Sequence, residues 1–245
     1  MDVGGMDEIE LIRERYARRD DTVSGRYNYL SPAVQLSVQE RQRALTRWLR
    51  ANWRRPVCET RLLEIGCGGG QNLLEFLRLG FRPENMVGND LLSERASAAR
   101  HVLPAALTVL PGDARELDFP PGAFDIVFQS TVFTSILDQE FQETLAKRMW
   151  RWAAPSGGVL WYDFVYDNPK NPDVAGVPVA RVKQLFPAGE FASWRLTLAP
   201  PISRFVTRIH PCLYGLLNTV PLLRTHVLCW IQKASDTTIR PNETR

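Results

Sequence analysis

From Arg61 onward the chain alternates short apolar runs with helical segments, and this alternation limits the fold more than any other feature of the sequence. Leu62-Leu63-Glu64-Ile65 reads as a buried strand, QNLLEFLRL as a helix stopped by Gly80, and NMVGN as a second strand. SERASAARHVL is a second helix ended by Pro104, LTVL a third strand and AFDIVFQ a fourth. DQEFQETLAKRMWRWA is a third helix and GGVLWYDF a fifth strand. Strands and helices alternating at this spacing form β-α-β units, hence a parallel sheet covered on both faces. The Pro- and Asn-rich stretch YDNPKNPDVAGVP then reads as an ordered loop or a lid, and VARVKQLF as a short helix. FASWRLTLA and THVLCWIQK read as two more strands, separated by an apolar segment broken at Pro211, Gly215 and Pro221.

The organisation expected is a helical lid or cap over residues 1–58, one α/β domain over 59–233 and a polar tail over 234–245. Within the domain, 165–190 forms a loop and 203–224 a cap insert. In the N-terminal segment Val38, Leu45, Trp48 and Leu49 share one helical stripe, which Pro56 closes.

At 245 residues, 44% apolar and 23% charged, the chain can bury a full core without disulfides. Its four cysteines include no C-x-x-C pair, which argues against a zinc ribbon or a disulfide framework. MDVGGMDEIELIRER has no apolar core of a secretion signal, and no run of about 18 apolar residues occurs. A cytoplasmic location follows as the expectation. A net charge of +3 gives no reason to expect a nucleic-acid partner. Positive charge is nevertheless uneven: seven arginines lie between Arg41 and Arg61 against the single acid Glu59. They form a solvated helix face, or they contact an anionic substrate or surface.

The strongest chemical signal is Leu62-Leu63-Glu64-Ile65-Gly66-Cys67-Gly68-Gly69-Gly70, between a strand and a helix. Ligands of open α/β sheets bind at such strand ends, and glycines there let a ligand touch main-chain atoms. A dinucleotide fingerprint fails in both registers, because its third glycine would fall on Gln71 or Leu73. No G-K-[ST] follows, so a phosphate-binding P-loop is weakened as well.

The remaining pattern, E-x-G-x-G-x-G in LLEIGCGGGQNLL, resembles the first motif of class I S-adenosylmethionine-dependent methyltransferases. The resemblance extends through Met86-Val87-Gly88-Asn89-Asp90, Gly112-Asp113-Ala114 and Phe124-Asp125-Ile126-Val127-Phe128-Gln129-Ser130, in that order. It implies a seven-stranded, mostly parallel, doubly wound Rossmann-like α/β sheet with an antiparallel last strand. It implies S-adenosyl-L-methionine as cofactor and S-adenosyl-L-homocysteine as product. Glu64, Gly66, Cys67, Gly68 and Gly70 would surround the methionyl and ribose parts. Asp90 would accept from the ribose hydroxyls, although it also suits the turn that opens the next helix. Leu91 would pack on the adenine. Asp113 would accept from the adenine amino group, or simply shape a turn, while the main chain at Ala114 meets the ring edge. Gln129 and Ser130 would face the sulfur.

The implied reaction is an in-line displacement in which alignment matters most. A small-molecule or sugar acceptor methylated at oxygen is the expectation, with a general base if the acceptor is an alcohol or phenol. Asp163, at the end of the fifth strand, is the first candidate for that base and His210 the second; His226 and His101 read as structural. Tyr27 and Tyr29 are candidates for the lid over the pocket, and Thr131, Phe133 and Thr134 for its wall. No metal site is indicated. A catalytically silent cofactor-binding module and, further off, a nicotinamide-dependent oxidoreductase are the alternatives. The segment Phe205–Leu223, flanked by Arg204, Arg208 and Arg224, reads first as core or cap, then as a homodimer contact, and least as a membrane contact.

Overall fold

The computed structural model describes residues 7–23, 28–168 and 171–234. Two N-terminal helices come first, α1 (Glu8–Val23) and α2 (Pro32–Asn52). The sheet begins with β1 (Leu62–Ile65), α3 (Gln71–Arg78), β2 (Met86–Asp90), α4 (Ser93–Val102) and β3 (Thr108–Pro111). It continues through β4 (Phe124–Ser130), α5 (Gln139–Trp152) and β5 (Ala153–Phe164). The last part contains α6 (Val179–Leu185), β6 (Glu190–Leu198), α7 (Pro200–Ile209), α8 (Cys212–Leu217) and β7 (Arg224–Gln232).

The seven strands form one sheet in the order β3-β2-β1-β4-β5-β7-β6. All neighbours are parallel except β7, which runs antiparallel to both β5 and β6. The architecture is therefore the doubly wound α/β sheet that the alternation predicts, with the antiparallel seventh strand that the resemblance implies. The fifth strand is longer than GGVLWYDF suggests, starting at Ala153. The broken apolar segment becomes two short helices, α7 and α8.

Strand periodicity explains the two cores. Residues two apart share a face, so Leu63, Val127, Trp161 and Val227 bury toward α5 and α6. Leu62, Phe128, Leu160 and Leu228 bury toward α2, α3 and α4. Each fully buried side chain of this kind contributes about 1.5–3 kcal/mol of transfer free energy, which is why so short a strand as β1, buried at all four positions, holds the centre of the sheet. Helices from β1 lead toward β3 and those from β4 lead the other way. The order therefore reverses between β1 and β4, and a crevice opens above their carboxyl ends.

Candidate functional site

The glycine turn sits in that crevice. Cys67 N–H donates to the Asn89 carbonyl at 2.8 Å, and Gly68 N–H donates to Asp90 Oδ2 at 2.8 Å, tying the turn to the end of β2. Gly66, Gly68 and Gly70 all have left-handed backbones, with φ of 67°, 54° and 85°. Their surroundings differ. A Cβ on Gly66 would lie 2.3 Å from Val132 Cγ2, and one on Gly70 would lie 2.8 Å from Leu103 Cδ1. A Cβ on Gly68 would meet nothing within 4 Å. Two of the glycines thus serve packing, while Gly68 presents bare backbone to open space. The Cys67 thiol turns into the core beside Leu73, where burial pushes its pKa up, so only its main chain faces the crevice side.

On the α5 side of β1, Ile65, Gly66, Asp90, Leu91, Asp113 and Ala114 line a narrow cavity of ≈ 70 Å³. It adjoins an open cleft of ≈ 600 Å³ that reaches Ser93 and Gly112. Asp90 accepts from Gly68 N–H through Oδ2 and from Leu92 N–H through Oδ1 at 3.0 Å. Each oxygen keeps a lone pair for a ligand hydroxyl, so the turn-forming and ligand-binding uses of Asp90 are compatible. Burial raises its pKa, against those two hydrogen bonds. Asp113 accepts from Arg115 N–H at 2.9 Å and pairs with the Arg115 guanidinium at 2.8 Å, again leaving lone pairs.

The roof of this cavity is α1, through Ile12 and Tyr16. Glu8 fastens the helix by accepting from Leu137 N–H at 2.8 Å and from Arg15 at 2.6 Å. Arg15 reaches on to the Ser135 carbonyl at 3.3 Å. Of the two residues expected to form the lid, Tyr29 is exposed in the turn before α2, and Tyr27 lies outside the described residues. The spacing Ile9, Ile12, Tyr16 was the signal for the covering face, since residues three and four apart stand together on a helix.

The α2 side of the sheet ends in a polar row. Alternation puts Glu64 of β1, Ser130 of β4, Tyr162 of β5 and His226 of β7 on one face near the carboxyl edge. Arg41 of α2 lies above them. Its guanidinium sits 5.4 Å from the centre of the Tyr162 ring, 3.5 Å from Ser130 Oγ and 3.3 Å from Glu75 of α3. Tyr162 stacks on His226 at 5.2 Å and shares a 2.7 Å hydrogen bond with the Thr197 hydroxyl. Desolvation and then Arg41 push His226 down to about 4, so the imidazole is neutral at pH 7. Burial pushes Glu64 up to about 8, against a 2.6 Å hydrogen bond from Asn72 and the charge of Arg41. Glu64 Oε2, Glu75 Oε2 and Arg41 Nε are buried without a hydrogen-bond partner among the described residues. Three such atoms close together leave bonding capacity that a polar ligand can complete. Arg41, Tyr162 and His226 are not among the site residues expected from the sequence. Their signals were the arginine-rich helix and the common parity of Tyr162 and His226.

Several expected site residues lie elsewhere. Asp163 has the opposite parity to Tyr162 and is fully buried. Its Oδ2 accepts from Thr134 N–H at 3.3 Å and its Oδ1 from Phe164 N–H at 3.1 Å, while burial pushes it up to about 7. It is a brace for the loop after β4, without access to an acceptor. Asp163→Ala is expected to cost about 1–3 kcal/mol of stability, the range for stranding buried donors, as read by denaturant unfolding, while Asp163→Asn keeps most of it. His210 is exposed at the α7–α8 corner, where its Nδ1 accepts from Cys212 N–H at 3.2 Å; it lines neither cavity. Phe133 and Thr134 are fully buried, Phe133 against Trp161 at 4.4 Å, so they form core and not pocket wall. Gln129 is also buried, accepting from Val132 N–H at 3.0 Å behind the turn. Thr131 is exposed at the end of β4 with a left-handed φ of 57°. Among the described residues no group of three His, Cys, Asp or Glu is placed to hold a metal.

Together these features fit an adenosyl sulfonium. The unpaired Glu64 oxygen suits an ammonium, Gly68 leaves its backbone clear, and Asp90 retains lone pairs for hydroxyls.

Comparison with known proteins agrees. Residues 62–157 match a family described as a methyltransferase domain. A malonyl-[acyl-carrier protein] O-methyltransferase of Bacteroides fragilis is 45% identical over 62 residues, 25% of this chain and 12% of that protein. A sterol 24-C-methyltransferase of Yarrowia lipolytica is 31% identical over 127 residues, 46% of this chain and 32% of that protein. The chain thus spans a third or less of these curated relatives. A methyltransferase structure from Archaeoglobus fulgidus superposes with a TM-score of 0.60 at 16% identity, covering 89% of this chain and 99% of that one. The [4+2]-cyclase SpnF shares the fold too, with a TM-score of 0.56 at 15% identity, over 79% and 82% of the two chains. At such identities the likeness is one of fold.

Proposed function

We propose, from the premise that residues 62–157 are a class I S-adenosylmethionine-dependent methyltransferase domain, that this chain methylates an acidic oxygen of a small-molecule acceptor. The observation that carries the reading is the polar row beside the glycine turn, where Glu64 Oε2 and Arg41 Nε are buried without a hydrogen-bond partner among the described residues.

Bound S-adenosylmethionine supplies a methyl group already activated on a sulfonium. The chain's own residues hold and orient it. Gly66, Gly68 and Gly70 keep side chains out of the way, and Asp90 accepts from ribose hydroxyls. Leu91, Ala114 and the α1 roof of Ile12 and Tyr16 enclose the adenine side and exclude water, with Asp113 at its edge. Glu64 takes the ammonium of the amino-acid end, and Arg41 takes its carboxylate.

Ser130, Thr131, Tyr162 and His226 lie on the acceptor side. Of the two groups expected to act as base, Asp163 is fully buried and His210 lines neither cavity, and burial keeps His226 a weak base. A base that weak suits an acceptor oxygen ionised, or nearly so, at neutral pH. A carboxylic acid, an enol or an acidic phenol is of that class, and a sugar acid belongs to it; a plain alcohol does not. The O-methyltransferase name of one curated relative supports oxygen. Titration calorimetry is the test. S-adenosylmethionine and S-adenosylhomocysteine should both bind the purified chain, and NADH should not. Nicotinamide binding without S-adenosylmethionine binding would overturn the reading.

A further inference from the structure

The hairpin formed by α7, α8 and the turn to β7 carries five of the eleven exposed large apolar side chains among the described residues. It joins the carboxyl end of β6 to the start of β7, so it stands on the same sheet edge as the crevice, two residues from His226. Its inner side is well anchored. Ser203, Val206 and Tyr214 are buried, and Tyr214 Oη donates to Glu40 of α2 at 2.6 Å. Asn218 Nδ2 donates to the same carboxylate at 2.7 Å.

Its outer side is apolar. Phe205, Ile209, Leu216 and Leu222 are 66%, 64%, 65% and 84% exposed. Phe205 and Ile209 form one i, i+4 row of α7, and Arg204 and Arg208 form the row beside it, both exposed. From Pro200 to Arg224 the sequence contains three arginines and no Asp or Glu. Among the described residues, the acid hydrogen-bonded to this hairpin, Glu40, is buried beneath it. An exposed cluster of large apolar side chains marks an interaction site, and a uniformly cationic rim selects an anionic partner. A second copy of the chain is disfavoured by the same charges, because a two-fold contact would lay this cationic patch on its own copy. No described helix is long and apolar enough to cross a membrane, so any lipid contact here is at the surface.

We infer that the α7–α8 hairpin seats the protein on an anionic lipid bilayer, with the apolar residues in the acyl boundary and the arginines at the headgroups. This revises the expectation that the segment is mostly core or cap: only one side of it is. The crevice then opens toward the bilayer, and its acceptor is an amphiphile held there. That last consequence rests on the methyl-transfer reading; the docking itself does not.

Flotation of the full chain with vesicles tests it. The chain should float with vesicles of phosphatidylglycerol and phosphatidylcholine mixed, and remain behind with phosphatidylcholine alone. Arg204→Glu with Arg208→Glu, and separately Phe205→Ser with Ile209→Ser, should each weaken flotation at least about tenfold. Calorimetry with S-adenosylhomocysteine on the same preparations should give unchanged affinity, which shows that the variants are folded. No flotation, equal flotation with both lipids, or hairpin-dependent self-association in sedimentation without lipid binding would each overturn the docking. Loss of S-adenosylhomocysteine binding by the parent chain would instead remove the methyl-transfer reading and leave the docking result standing.

Discussion

Gly68→Val should give a folded protein that does not bind the cofactor. A Cβ at this position meets no protein atom within 4 Å beyond its chain neighbours, so the new side chain starts in open space. The left-handed φ of 54° costs a side chain about 1–2 kcal/mol, more for a β-branched one. A domain with about 5–15 kcal/mol of stability tolerates that. The new methyl groups project instead into the space where the ligand approaches bare backbone. A loss of at least about 100-fold in affinity, or roughly 2.7 kcal/mol, is expected by calorimetry, with a far-ultraviolet circular dichroism spectrum like that of the parent. Gly66→Ala is the control with the opposite logic, because its Cβ would press on Val132 and disturb packing first. An unchanged affinity in Gly68→Val would remove the glycine turn from the site.

Glu64→Gln should separate stability from function. Burial holds the free protein's Glu64 near 8, above its ordinary value of 4.5. A carboxyl whose folded pKa is raised binds its proton more tightly folded than unfolded. Its contribution is therefore fully present below 4.5 and is lost as pH rises through about 8. Glutamine cannot ionise, and it can keep the hydrogen bond from Asn72. The variant should match the parent at low pH and exceed it by about 1–3 kcal/mol in alkaline buffer, as read by urea unfolding. Ligand binding should move the other way. An ammonium favours the ionised carboxylate, so the parent's affinity for S-adenosylhomocysteine should strengthen with pH up to about 8 and then level off. The variant should bind more weakly, with its pH profile flattened on the acid side. A flat profile in the parent would show that Glu64 does not meet the ammonium.

The element order, the parallel sheet and the glycine turn were legible in the sequence because each depends on short-range spacing. Leu62–Ile65 is apolar at three of four positions and has a strand's length, Gly66, Gly68 and Gly70 have positive φ, and Asp90 ends a strand. Such features are set within a few residues, whatever packs on them. The same alternation made it certain that Tyr162 and Asp163 would lie on opposite faces of β5. It did not say which face would carry the chemistry. That was decided when α2 laid Arg41 over Tyr162 while the loop after β4 closed over Asp163. The roof over the adenine side and the outward apolar side of α7 have the same origin. Local sequence gave Ile12, Tyr16 and Phe205 equal claims to the core. Only the docking of distant helices, through contacts such as Glu8 with Leu137 and Tyr214 with Glu40, determined which were covered and which were left to face a partner.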